Sequence, residues 1–201
     1  MGAGPGTWWA RDLIHSVGGS AIRTLGIAAL LGCCLTLFVD PLKQWRRPAS
    51  YLILAATLAT GSVGLLRAVS NVDCPWSLDV FSGTRPYVGL LGDRPDDLPR
   101  ARCFPGGHSS SGFALFALYF LFRDRRPRTA YAGLAAALSV GALFAFGQEA
   151  RGAHFLSHDL WSAGMAWFSC LAVYRLGYGG NPWRKPTPES RHSFERQSRR
   201  D

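Results

Sequence analysis

Charge is scarce in this chain of 201 residues: Asp, Glu, Lys and Arg make up only 17% of it. A soluble domain carries about a quarter. The scarcity is also uneven, because long runs almost free of charge alternate with short Arg clusters. That distribution argues against an ordinary soluble domain and for a chain that crosses a bilayer repeatedly. No internal repeat is visible, which excludes solenoids and arrays. Residues 1–19 hold no apolar run of useful length, so no signal peptide is seen. Cysteine is sparse at five residues. Cys33, Cys34 and Cys170 lie inside apolar runs and read as small packing residues, whereas Cys74 and Cys103 lie in a polar loop. The net charge of +9 would suit nucleic acid, but the basic residues fall between apolar runs and in the C-terminal tail. A nucleic-acid partner is therefore not expected.

The apolar runs predict an all-α, polytopic membrane helix bundle with five spans: Ser20–Val39, Ala49–Val69, His108–Phe122, Thr129–Gly147 and His158–Leu176. A span needs about 20 residues at ~1.5 Å rise. The third is short and opens on Ser109, Ser110 and Ser111. Residues 1–176 form the membrane domain, and 177–201 are a basic tail expected to be disordered. Asp40–Pro48, Arg123–Arg128 and the tail fall on one side and are strongly basic, so that side is expected to be cytoplasmic. The Ser70–Gly107 loop and the Gln148–Ser157 loop then face outward. So does the N-terminus, which suggests either an upstream helix absent from this chain or a short N-terminus that simply translocates.

Three clusters sit at the outer ends of the spans: RAVSNVDCPW at Arg67–Trp76, CFPGGHSSSG at Cys103–Gly112, and QEARGAHFLSHD at Gln148–Asp159. In the second, Gly106 and Gly107 permit close approach of a ligand, and His108 opens a helix whose start favours an anion. A histidine there is placed to protonate a leaving oxygen. In the third, His154 and His158 are four apart and Arg151 three before His154, hence on one face if helical. Arg binds phosphate bidentately. The His pair also fits zinc, with His108 or Asp159 as third ligand, but the acid of an HExxH site is missing. Arg67 either snorkels to the surface or points a cation into the site. If the third cluster is helical, His158 is the direct partner of His154, and Asp159, rotated by about 100°, is less well aimed.

In order, the clusters resemble the signature of the type 2 phosphatidic acid phosphatase superfamily, which includes vanadium haloperoxidases: KxxxxxxRP, PSGH, SRxxxxxHxxxD. Pro105-Gly106-Gly107-His108 matches the second with Ser replaced. Arg67 takes the Lys position of the first, Cys74 the Arg position and Pro75 the Pro position. In the third, His154 takes the histidine position and Gly147 and Gln148 fall at Ser-Arg, with Arg151 one turn later. His158 falls at the Asp position and Asp159 is displaced by one. The resemblance implies a six-helix fold whose first helix is missing here. It implies hydrolysis of a phosphomonoester or diphosphate on a lipid, with His154 as nucleophile and His108 as acid. Arg67, Arg151, Gly106 and Gly107 would hold phosphate, His158 or Asp159 would orient His154, and no metal or other cofactor would take part. The expected partners are a lipid phosphate and the bilayer, with the site on the extracytoplasmic face, as in a bacterial inner membrane. A phosphotransferase or an inactive scaffold is the alternative. Cys74 and Cys103 share the outward loop, so a disulfide is expected there, worth roughly 3–4 kcal/mol for a loop of about 30 residues.

Overall fold

The computed structural model describes residues 16–89 and 92–184. Among them there is no β-strand, only an isolated bridge between Leu78 and Arg85. The helices are α1 (Gly19–Phe38), α2 (Arg46–Val69), α3 (Gly107–Phe113), α4 (Phe116–Phe122), α5 (Pro127–Glu149) and α6 (Leu156–Ala172). A π-helical turn, Val173–Gly177, prolongs α6. Among the described residues, three stretches are long and apolar enough to cross a membrane: Ser16–Phe38, Asp40–Val69 and Pro127–Glu149. The all-α membrane architecture is as the hydropathy predicts, though the third expected span is broken in two.

Each reversal has a local cause. After α1, Pro41 starts a 3-10 turn over Asp40–Trp45. The Arg46 guanidinium then closes the open end of α1, donating to the carbonyls of Thr36 at 2.6 Å and Leu37 at 2.5 Å. Pro127 starts α5, where its missing N–H costs nothing. On α2, Tyr51, Ala55, Ala59 and Val63 recur every fourth residue and are fully buried. That face meets α6, where Tyr51 donates to the Cys170 carbonyl at 3.3 Å and Ser62 and Ser169 hydroxyls lie 3.4 Å apart. Outward-facing Leu25, Leu30, Leu31 and Leu35 on α1 and Leu58 and Leu65 on α2 remain exposed, which suits lipid rather than water.

The break between α3 and α4 lies at Ala114 and Leu115, where the ladder shifts to i−3 bonds, Leu115 to Gly112 and Leu118 to Leu115. It sits beside the closest helix crossing, that of α3 on α5. A methyl added at Gly112 would lie 2.7 Å from Gly141 Cα, so the two backbones touch. Phe113 lies against Gly141 in turn.

The bundle has two unlike ends. At the basic end, Arg47, Arg123 and Arg125 lie over the rings of Tyr178, Tyr174 and Trp183 at 5.3, 5.6 and 5.0 Å. Trp183 donates its indole N–H to Leu121 O at 2.8 Å. Residues 178–184 are thus packed on the bundle, and the rest of the tail, 185–201, lies outside the described residues. At the other end, the long loop is tied down. Cys74 and Cys103 form a disulfide with Cα atoms 5.2 Å apart, and Cys103 N–H donates to Val72 O at 3.0 Å. Buried Asp73 accepts from Arg94 at 2.8 Å and from Arg85. Burial alone would raise its pKa, but the hydrogen bonds from Arg94 and Arg85 outweigh that and hold the carboxyl below its usual range.

Candidate active site

The three polar clusters meet at the end of the bundle away from the basic turns. Trp76 N–H donates to Gly152 O at 2.9 Å, joining the first cluster to the third. Gly106 N–H donates to His158 O at 3.1 Å, joining the second to the third. Cys103 leads through Phe104 and a cis bond to Pro105 into Gly106.

His154 sits at the centre of this junction, 6% exposed. Its Nδ1 lies 3.1 Å from Asp159 Oδ1, which also accepts from Ser109 Oγ at 2.5 Å. Against an ionised Asp159, which only accepts, a neutral His154 ring carries its proton on Nδ1 and keeps the lone pair on Nε2. Ser109 and Ser162 hydroxyls reach Gly106 O at 3.1 and 2.8 Å. A side chain at Gly106 would strike the Asp159 carboxylate and the Ser109 hydroxyl, so only glycine lets the three strands of the junction close.

This geometry corrects one expectation. His158 was expected to contact His154 through helical spacing. The chain instead leaves the helix after Glu149 and re-enters it at Leu156, so no i,i+4 register links the two histidines. Their rings are 5.9 Å apart and tilted by 51°, and Asp159 makes the bond. Gly106, expected among the phosphate-binding groups, donates its own N–H to His158 O.

The remaining residues converge without forming one cradle. Arg67 does not snorkel: its Nε donates to Arg102 O at 2.5 Å, and its Nη1 lies where a Gly107 side chain would begin, 2.5 Å away. Arg151 lines a cavity of about 370 Å³ with His154, Glu149 and Trp76. Its guanidinium lies 3.3 Å from Gln148 Oε1 and 5.9 Å from the Trp76 ring centroid. His108 lines a different cavity, about 390 Å³, with Gly107, Ser111 and the start of α1. Among the described residues, no three His, Cys, Asp or Glu side chains are grouped to hold a metal ion.

Sequence reasoning missed Ser109, Ser162 and Glu149. Ser109 directly follows His108, and a run of hydroxyls opening an apolar helix was its only signal. Ser162 carries no signal in the sequence. Glu149 lies inside the third cluster; its Oε1 is buried with no hydrogen-bond partner among the described residues, next to His154 in the same cavity.

The profile of the PAP2 superfamily matches residues 48–181, which is α2 to α6 with all three clusters. The chain belongs to the PAP2 superfamily. Members of that superfamily are generally phosphatases and often act on lipid phosphates. No curated protein and no solved structure matches the chain significantly. The helices make this PAP2 superfamily protein a membrane protein.

Proposed function

We propose that this PAP2 superfamily protein is an integral membrane lipid phosphatase that works through a phosphohistidine. One observation carries the reading: a buried histidine, His154, has its Nδ1 held by a carboxylate, which leaves Nε2 as the nucleophile. Nε2 attacks phosphorus, and the bond from phosphorus to the lipid oxygen breaks. His108 gives its proton to that oxygen. Water then attacks the phosphohistidine, its proton returns to His108, and inorganic phosphate leaves. Arg67 and Arg151 carry the charge of the transferring group. A site at the end opposite the basic turns suits a substrate whose tail stays in the bilayer, with the reaction on the extracytoplasmic face of a bacterial inner membrane.

A second reading has one observation behind it. Cys74, at the family's arginine position, is locked in the disulfide, and Gln148 stands at another. The phosphate site thus has fewer cations than the family pattern, which favours an inactive, lipid-binding relative. Rapid quench of the purified full chain with labelled lipid phosphates separates the two. Wild type should form phosphohistidine and release phosphate, and His154→Ala should do neither. His108→Ala should lose alkyl phosphates but keep nitrophenyl phosphate, whose leaving group needs little protonation. An adduct that persists in His154→Ala sinks the assignment, and no adduct in wild type favours the inactive relative.

A further inference from the structure

The geometry around His154 leaves His158 without a task. Its ring is 4% exposed and packed edge-on against Phe104 and Phe155 at centroid distances of 5.3 and 5.4 Å. Its other flank lies against the backbone of Cys103. Its Nδ1 is buried with no hydrogen-bond partner among the described residues. Such an atom is rare in a native structure and marks a place for a ligand group or an ordered water.

His158 also lines a cavity of about 470 Å³ under the outer loop, with Phe104, Phe155, Trp161, Tyr87 and Asp73. That size and that mix, aromatic walls with few polar groups, are ordinary for a small-molecule site. Tyr87 and Trp161, 61% and 54% exposed, form the outer rim of this cavity and pack on the Phe155 and Phe104 rings that flank His158. Phe155 and Leu156 line both this cavity and the one that holds His154 and Arg151. The two cavities thus share a wall, and the rings of His158 and His154 lie 5.9 Å apart across it.

The lining selects the chemistry. Among the described residues it contains no Lys or Arg, and Arg85 and Arg94 are engaged by Asp73, so a second phosphate is disfavoured. If the other ring nitrogen donates to the Cys103 carbonyl, Nδ1 is left as an acceptor, while the Asp73 oxygens are taken by Arg85 and Arg94. The complementary ligand donates hydroxyl or amide hydrogens and lays its carbon skeleton on the rings. We infer that this cavity is a head-group subsite, and that the substrate is a lipid phosphate whose head group bears hydroxyl or amide donors beside the phosphate, a polyol or a sugar. The inference rests on the lipid phosphatase reading and narrows it, because phosphatidic acid and polyprenyl phosphates offer no such donor.

The test is equilibrium binding of short-chain analogues to the full chain in detergent, measured by calorimetry. The three probes are phosphatidic acid, phosphatidylglycerol phosphate and an acylated glucosamine phosphate. Wild type should bind at least one of the last two about tenfold more tightly than the first, the value of one neutral hydrogen bond. A preference for one of them alone tells polyol from sugar. His158→Phe should remove the preference. Tyr87→Ala, at the exposed rim, should weaken it and serves where the first variant does not fold. Equal affinities in wild type, or a preference that survives in every folded variant, overturns the subsite. Phosphate release from the same lipids is scored separately. Preference without release sinks only the phosphatase reading, and release without preference sinks only the subsite.

Discussion

At the scale of single residues, the site turns on which carboxylate or ring touches His154. Asp159 lies five positions on, and a helix would aim it away. The extended segment before Leu156 lets the chain fold back so that the first turn of α6 presents Asp159 to His154. Asp159→Asn should therefore lower kcat by up to about 10⁴-fold, the loss seen where such a carboxylate sets the tautomer of a reacting histidine. KM should change little, since the carboxylate faces the imidazole. Ser109→Ala removes one hydrogen bond to the same carboxylate oxygen and should cost about 1.5–3 kcal/mol, or roughly 10- to 100-fold in rate. Rapid-quench rates of phosphohistidine formation measure both. A wild-type rate in Asp159→Asn would remove Asp159 from the mechanism.

At the scale of elements, the crossing of α3 on α5 positions the second cluster against the third. Gly141→Leu places a side chain where Phe113 and the α3 backbone already are. Overpacking of this kind costs typically 1–3 kcal/mol, and more where backbone must move. The expected result is a Tm several degrees lower in detergent, with activity lost before unfolding because His108 and Ser109 ride on α3. An unchanged Tm and activity would show that the crossing is not close in the working protein. Nothing local in the sequence says that Gly112 and Gly141 meet, nor that the helix breaks at Ala114.

The outer loop is held from within by Asp73 as well as by its disulfide. A carboxyl depressed in the folded state stabilises above its unfolded pKa, about 3.9, and that contribution is lost as pH falls through the lower folded value. The segment around Arg85 and Arg94 should therefore become sensitive to an acid-active protease below about pH 4, while the bundle stays folded. Asp73→Asn should show the same sensitivity at neutral pH. A loop equally resistant in both tests would mean that the disulfide alone holds it.

At the scale of the whole molecule, the two ends differ in charge and in chemistry. The basic end should face the cytoplasm. In intact cells, an impermeant thiol reagent should label Asp96→Cys in the outer loop and spare Arg125→Cys in the basic turn. The reverse pattern would invert the protein and put its site on the cytoplasmic face. Three of the five expected spans and the basic end were legible in the sequence, because each residue's transfer between water and lipid is a local property, summed along a continuous run. The histidines and glycines of the site were legible through short motifs. The contacts among them were not. Between helices there is no periodicity to say where a side chain points, so only the packed structure could choose Asp159 for His154. The same holds for His158, which the fold turns toward a separate cavity although it lies one residue from Asp159 on α6, where successive side chains diverge by about 100°.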